Sequence, residues 1–281
     1  MIYKKILLIF LLFQSCTPSL SELTKKVNIN IDGCKNVVEN IDQELKNEIF
    51  VVGHAYGKPG EGDFFPESLL KYFTKNLNSS NKQYLALTGD FVRVPSAESF
   101  ERVKNYIDEK FSGYFIALGN HEVEFGKDNY NLFFDEEIFF NDFNNFLLVS
   151  ANFSNSDWLP DQDQRNLINN IVKQSGKDII IILSHQLFWL KEVKNEISPN
   201  SDALLKSQLN ENSLFWLDEI DKKTLIVISG DYGVFGQSTY CKIVDNKIFI
   251  ASGIGNYYED SIIKISEFSE SIYIEELYIN K

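Results

Sequence analysis

The 281-residue sequence has no run of about 20 apolar residues, the length that a helix needs to span a bilayer. With only three cysteines and 44% hydrophobic residues, it is neither a small scaffold built on many disulfide bonds nor a disordered chain. Positive charge is scarce, since 27 Lys and Arg face 40 Asp and Glu, and the formal net charge is −13. A negative surface repels nucleic acid, so we expect no non-specific coating of DNA or RNA.

A short apolar run follows two lysines at the N-terminus. Residues 6–13 are all apolar, which is the length of a signal-peptide core and not of a membrane span. Ser15 directly precedes Cys16, an arrangement that resembles the cleavage site of a bacterial lipoprotein. We therefore predict a signal peptide over 1–15, lipidation of Cys16, and a membrane anchor at the bacterial cell envelope, either periplasmic or surface-exposed. An ordinary secretory signal with an incidental cysteine is the alternative.

The segment after the predicted anchor is polar and weakly patterned. We interpret residues 16–46 as a tether that leads into one domain over 47–281. Cys34 and Cys241 remain once Cys16 carries lipid, and an exported protein allows a disulfide bond between them. Two unpaired, buried thiols explain these cysteines equally well.

Short apolar runs alternate with amphipathic stretches over the rest of the chain. The runs predict strands at 48–53, 84–87, 114–118, 179–183 and 225–228, two more within 133–152, and four after residue 237. Helical spacing predicts helices at 66–77, 97–111 and 214–220, and another that begins at Asp161 or Asp163. Residues 190–212 are interpreted as a polar surface insertion. The order favours a mixed α/β, single-domain fold in which two sheets pack together between outer helices.

Polar side chains follow five of the predicted strands. The potential metal ligands at these strand ends are His54, Asp90, Asn120 with His121, His185, and Asp231. A Gly-Asp turn or a lone histidine at a strand end usually has no chemical role, but all three histidines of the chain lie at such ends. Since carboxyl ends of strands form the ligand crevice of α/β sheets, a shared site is predicted. Carboxylate, amide and imidazole ligands suit one or two divalent ions of the Mn, Zn or Fe class.

Two of these motifs carry a family resemblance. Gly89-Asp90 and, about thirty residues later, Gly119-Asn120-His121-Glu122 resemble the paired motifs of calcineurin-like metallophosphoesterases. Ser184-His185 is similar to the isolated ligand histidine of that family. Over about residues 48–255, the resemblance implies a four-layer αββα sandwich, a divalent metal centre and hydrolysis of a phosphoester substrate.

The resemblance also implies a role for each matching residue. Asp90 would bridge two ions, and one ion would be completed by Asn120, His185 and Asp231. His121 would be the catalytic histidine near the leaving oxygen, and it would not bind metal. Glu122 would orient His121.

The first and last motifs depart from the family pattern. His54-Ala55-Tyr56 stands where the family has Asp-x-His, so His54 is a candidate ligand of altered type and Tyr56 a weaker one. The family's Gly-His-x-His reads Gly230-Asp231-Tyr232-Gly233 here. We therefore expect either an enzyme with one tight and one weak ion, or with a single ion, or a lipoprotein that lost catalysis and binds an envelope glycan or a partner protein. The sequence does not predict the oligomeric state.

Several other residues near these motifs have two interpretations. Arg93 either contacts a phosphate or is a solvated loop residue, and the loop over 58–62 is a candidate cap for the site. Four aromatic residues either line a substrate groove or, as we prefer, pack in the core. They are Phe188, Trp189, Phe215 and Trp216.

Overall fold

A computed structural model describes residues 26–36, 43–58, 62–78, 81–134, 136–154, 158–200, 214–218, 220–255 and 257–280. The predicted signal peptide over 1–15 and the predicted lipidation site at Cys16 lie outside these residues. Within the described ranges, no helix has both the length and the apolar character needed to cross a bilayer.

The described strands form two six-stranded sheets. In chain order they are β1 (Val27–Asn30), β2 (Leu45–Gly53), β3 (Lys82–Thr88), β4 (Gly113–Ala117), β5 (Phe139–Asp142), β6 (Leu147–Ser150), β7 (Ile179–Ser184), β8 (Thr224–Ser229), β9 (Tyr240–Val244), β10 (Lys247–Ala251), β11 (Ser261–Phe268) and β12 (Ile272–Tyr278). The first sheet has the order β1-β12-β11-β2-β3-β4, and the second has the order β5-β6-β7-β8-β10-β9. Strands β2, β3 and β4 run parallel, as do β6, β7 and β8, so their carboxyl ends meet at one edge of each sheet.

Helices accompany both sheets. They are α1 (Glu67–Asn76), α2 (Ala97–Lys110), α3 (Asn120–Tyr130) and α4 (Gln162–Ser175), with a 3₁₀ turn at Ile220–Lys222. The side chain of Ser96 accepts a hydrogen bond from the backbone N–H of Ser99 and caps α2, and Asp161 caps α4 through the N–H of Gln164. Both helix starts are where the sequence predicted them.

Alternate residues of the second sheet pack in opposite directions. In β7, Ile181 and Leu183 belong to a core shared with the first sheet, whereas Ile180 and Ile182 belong to another core that includes Ile168 of α4. Successive side chains of a strand point to opposite faces, so β7 lies between the first sheet and α4.

A helix also covers the outer face of the first sheet. The ring of Phe50 in β2 meets the ring of Phe73 in α1 with 5.7 Å between centroids. Helix, sheet, sheet and helix thus form four layers, and the predicted αββα sandwich is confirmed.

Part of the predicted tether is wrong, because it belongs to the folded domain. Strand β1 pairs in parallel with β12, with Val27 opposite Ile272. A disulfide bond joins Cys34, just after β1, to Cys241 in β9. The tether interpretation of 16–46 is therefore wrong over 27–36, because strand pairing and a disulfide bond hold these residues in the folded domain. Of the two interpretations of these cysteines, the disulfide is the one found.

Several local predictions also need correction. Helix α3 was not predicted, because its first turn consists of the polar motif residues themselves. The helix expected over 214–220 is instead a turn over 214–218 followed by the 3₁₀ turn. In the insertion predicted at 190–212, Leu190 and Val193 are buried, and residues 201–213 lie outside the described ranges. The preferred core role holds for Phe188, Trp189 and Trp216, which are buried, but not for Phe215, which is exposed.

Candidate active site

Two adjacent parallel strands end in tight turns that carry polar side chains. His54 follows β2 with φ 50°, and Asp90 follows β3 with φ 49°. Both are in the left-handed region, which costs a non-glycine residue about 1 kcal/mol or more. Backbone hydrogen bonds join the turns, since the N–H of His54 donates to the oxygen of Gly89 and that of Tyr56 to the oxygen of Asp90. The strained turns thus hold His54 and Asp90 side by side.

Glycines in the motifs let the two sheets approach each other here. A Cβ on Gly89 would lie 2.4 Å from the ring of His185, which belongs to the second sheet. A Cβ on Gly119 would lie 2.2 Å from Oδ1 of Asp90. Any larger residue would therefore displace a side chain of the site.

Three donor atoms converge between the sheets. Nε2 of His185 lies 3.2 Å from Oδ1 of Asn120 and 3.5 Å from Oδ1 of Asp90. Nδ1 of His185 lies 3.0 Å from the carbonyl oxygen of Thr88. A carbonyl only accepts, so Nδ1 carries a proton, and in the neutral form of the ring Nε2 presents its lone pair toward Asp90 and Asn120.

The His185 ring is also subject to strong electrostatic effects. Burial lowers the pKa of His185, whereas the charges of Asp90 and Asp231 raise it. The net result is a pKa above the ordinary value of a histidine. The backbone N–H of Asp231 donates to the carbonyl oxygen of His185 at 2.9 Å, which places Asp231 next to His185. In the absence of another cation, a proton on His185 partly neutralises these carboxylates.

These residues fit one divalent ion. Ligand atoms at about 2.1 Å from an ion are separated from each other by roughly 3.0–3.4 Å, close to the spacing of Asp90, Asn120 and His185. No group of three or more His, Cys, Asp or Glu side chains is placed to hold a metal within the described ranges. The amide oxygen of Asn120 is therefore an essential member of the set.

A second ion has poor support. Nε2 of His54 is 3.8 Å from Oδ2 of Asp90, and burial lowers the pKa of His54 to about 4, so its neutral ring can bind metal, but these two residues alone are too few ligands for a second ion. Burial and then the charge of Asp90 raise the pKa of Tyr56 well above its usual range, so its phenol keeps its proton and is a weak ligand. Gly233 has φ +99°, and a Cβ there would lie 2.2 Å from the oxygen of Gly253. A histidine at this position does not fit.

Glu122 has a structural role at the site. It is fully buried, and its carboxylate accepts hydrogen bonds from the backbone N–H groups of Asp90 at 2.9 Å, Phe91 at 3.0 Å and Gly119 at 2.9 Å. The bond from Gly119 also caps the start of α3. Glu122 thereby fixes the turn that carries Asp90.

The resemblance implied that Glu122 orients His121, but the carboxylate of Glu122 accepts hydrogen bonds from the backbone, and the ring of His121 bonds the main chain of Arg93. Nδ1 of His121 lies 3.0 Å from the carbonyl oxygen of Arg93 and donates to it. Arg93 therefore acts through its main chain, whereas the sequence suggested either a phosphate contact or a solvated side chain. A backbone carbonyl has no signal in the sequence.

An open cleft of about 400 Å³ contains the site. Among the predicted residues, it is lined by His54, Asp90, Asn120, His121 and Asp231. Further lining residues are Tyr56, Lys58, Asn200, Val234, Phe235 and Tyr257. The predicted candidates thus share one crevice with His185 directly beneath, and Lys58 comes from the loop predicted as a cap. The last four lining residues carried no motif that could have identified them.

The sequence of the domain matches a known family. The model of the calcineurin-like phosphoesterase family matches residues 54–230, more than half of the chain, so the chain belongs to this family. The expectation from the paired motifs is confirmed.

Two solved structures show a distant likeness. One is a single mutant of Vps29 from Entamoeba histolytica, 13% identical, with a TM-score of 0.36, covering 82% of this chain and 98% of the other. The other is Vacuolar Protein Sorting 29 from Cryptosporidium parvum, 12% identical, with a TM-score of 0.39, covering 85% of this chain and 95% of the other. Similarity of this degree has no bearing on function. No curated protein sequence matches the chain.

Proposed function

We propose that the protein is a metal-dependent phosphoesterase that hydrolyses a phosphoester substrate with one tightly bound divalent ion of the Mn, Zn or Fe class. One observation carries the proposal. The side-chain donors of Asp90, Asn120 and His185 converge from two sheets, with 3.2 Å and 3.5 Å from the His185 nitrogen to the other two. Family membership supports it, since the family's chemistry is phosphoester hydrolysis.

Each residue has a defined task in this proposal. Asp90, Asn120 and His185 hold the ion, and Asp231 adds negative charge beside His185. A bound divalent ion supplies Lewis-acid chemistry toward a phosphoryl oxygen. His121 lies on the same cleft, and in its protonated form Nε2 donates a proton to the leaving oxygen while Nδ1 stays bonded to the Arg93 carbonyl.

The negative charge of the site itself favours a cation. Asp90 and Asp231 are 4% and 1% exposed, and buried carboxylates require a compensating positive charge. Lys58 lines the mouth of the cleft and supplies a cation for an incoming phosphate. The buried part of the cleft with Asp90 and Asp231 thus suits a metal ion, and the exposed part with Lys58 suits an anion.

Hydrolysis of 4-nitrophenyl phosphate, measured with and without added Mn²⁺ alongside the metal content of the protein, tests this proposal. We expect metal-dependent turnover that Asp90→Asn abolishes. Asp128→Asn is the matched control, because Asp128 is exposed on α3. Absence of both bound metal and turnover in the wild-type protein would overturn the proposal.

The alternative is a binding module that has lost catalysis. The observation that favours it is Gly233, where the backbone leaves no room for the side chain that the family usually has there. In that case the same cleft holds an envelope glycan or a partner protein, and no added metal ion yields turnover.

We also propose export and anchoring at the cell envelope through lipid on Cys16. The disulfide between Cys34 and Cys241 supports export, since such bonds persist in oxidising compartments. Cys16→Ser tests the anchor, with the expectation that the protein moves from the membrane fraction to the soluble fraction. Retention of the variant in the membrane fraction contradicts the lipid anchor.

A further inference from the structure

The mouth of the cleft has an aromatic side that the proposed chemistry does not use. Phe235 and Tyr257 line the cleft and are 70% and 36% exposed. A phenylalanine so exposed forgoes much of the stabilisation that burial provides. Asp90 and Asn120 of the donor set line the same cleft, so a ligand held there shares the cleft with these two rings.

A tight turn of the backbone positions one of these rings beside the other. Phe235 sits in a turn between Gly233 and Gly236, both with positive φ. A Cβ at Gly236 would lie 3.6 Å from the ring of Tyr257, so this ring lies beside the turn. Nζ of Lys58 lies 5.7 Å from the centre of the same ring. The aromatic side and the cation of the mouth are thus adjacent.

Rings continue from the mouth toward the floor. The ring of Tyr56 is 4.4 Å from that of His54 and 5.4 Å from that of His121, measured between centroids. All three residues line the cleft. These rings are largely buried and contact each other, so they form a wall of the cleft, and the exposed ring faces that stack on a flat ligand are those of Phe235 and Tyr257.

We propose that the preferred substrates are phosphate esters of alcohols that carry an aromatic ring, namely nucleotides or aryl phosphates, with the ring on Phe235 and Tyr257. This substrate class rests on the proposed function, which places the phosphate at the donor set. Stacking tolerates any flat ring, so the shared chemistry is the π face and not a base-specific hydrogen bond. Esters of glycerol or of a saturated sugar offer no such face.

The first test compares kcat/KM for adenosine 5′-monophosphate, phenyl phosphate and glycerol 1-phosphate. We expect both ring-bearing esters to exceed glycerol 1-phosphate by roughly tenfold or more. Phe235→Ala removes most of this advantage by raising KM and leaves glycerol 1-phosphate nearly unchanged, and Phe235→Leu gives an intermediate loss. Tyr258→Ala is the control, because Tyr258 is 70% exposed but does not line the cleft.

The second test is independent of turnover. Saturation-transfer NMR on chelator-treated protein should show saturation of the ring protons of both esters, weakened by Phe235→Ala. If kcat/KM is equal for all three esters and Phe235→Ala does not change it, the inference is wrong, whereas the proposed phosphoesterase function still holds. Ring saturation without phosphate release supports ring binding at Phe235 and Tyr257 but overturns the proposed hydrolysis, and with it the assignment of these esters as substrates. If Phe235→Ala reduces binding to anionic vesicles but not KM, the aromatic side contacts a membrane and the inference is wrong.

Discussion

Nε2 of His185 lies 3.5 Å from Oδ1 of Asp90, although the two residues follow strands of different sheets. Neither side chain has this neighbour unless the sheets pack face to face with their carboxyl edges aligned. The site is therefore a product of the inter-sheet packing, and its properties should respond to changes in that packing.

Gly89→Ala should damage the site more than its conformation alone explains. The new Cβ would lie 2.4 Å from the His185 ring at a φ of +76°. Gly176→Ala is the matched control, because it has φ +65° and nothing within 4 Å of the new Cβ. We expect Gly176→Ala to lower the free energy of unfolding by about 1 kcal/mol, and Gly89→Ala to lower it more and to weaken metal binding. Equal effects in denaturant titrations contradict the steric argument.

Asn120→Ala should weaken metal binding without unfolding the protein. It removes the amide oxygen that lies 3.2 Å from Nε2 of His185, and the remaining pair is an incomplete set. We expect at least a tenfold loss of Mn²⁺ affinity in calorimetric titration, and Asn120→Asp should retain more affinity because it keeps the oxygen. Unchanged affinity in Asn120→Ala shows that the ion, if bound, is held elsewhere.

Gly233→His should not create a second metal site. The Cβ would lie 2.2 Å from the oxygen of Gly253, and φ is +99°, so the side chain cannot enter without a backbone shift. We expect a lower melting temperature and no increase in bound metal per chain. A rise from one ion to two in elemental analysis would show that the backbone adapts.

Stability should fall in acid partly because of His54. Burial lowers the pKa of His54 from 6.5 to about 4 in the folded state, so the unfolded chain binds the proton first. This share of stability is present above pH 6.5 and is lost as the pH falls toward 4, and it amounts to at most about 3 kcal/mol. In chelator-treated protein, His54→Gln should flatten the pH dependence in this window. An equal slope in both proteins assigns the acid sensitivity to other groups.

Loss of the disulfide bond should destabilise the protein substantially. The bond closes a loop with a sequence separation of 207, and opening it restores freedom to the unfolded chain. We expect Cys34→Ser, Cys241→Ser and the double variant to lose similar amounts, about 2–5 kcal/mol, in denaturant titrations. A much larger loss in the double variant means that the thiols contribute separately.

The sequence predicted the strands well, for physical reasons. Strands such as Ile179–Ser184 are buried along their whole length and read as unbroken apolar runs. Asp90 and His185 were predicted because polar residues after such runs are rare enough to notice. The pairing of β1 with β12 could not be predicted, since a four-residue strand in a polar segment has no distinctive pattern.

The parts of the site that the sequence missed depend on backbone and on long-range packing. The Arg93 carbonyl that holds His121 exists at every residue, so no side-chain pattern marks it. Phe235 and Tyr257 reach the cleft only because two loops of the second half of the chain come together there. At Gly233, the sequence indicated only that one histidine ligand of the family pattern is missing. The structure adds that the backbone of Gly253 leaves no room for a side chain there, so a single mutation to histidine cannot restore the ligand.

The bond between Cys34 and Cys241 joins β1, at the margin of the first sheet, to β9, at the margin of the second. It is a covalent link between two sheets that each contribute residues to the candidate active site. A reductant that does not contact Asp90 or His185 should therefore let the two sheets move relative to each other and weaken metal binding. Thiol-containing buffers would then lower the measured activity of this protein.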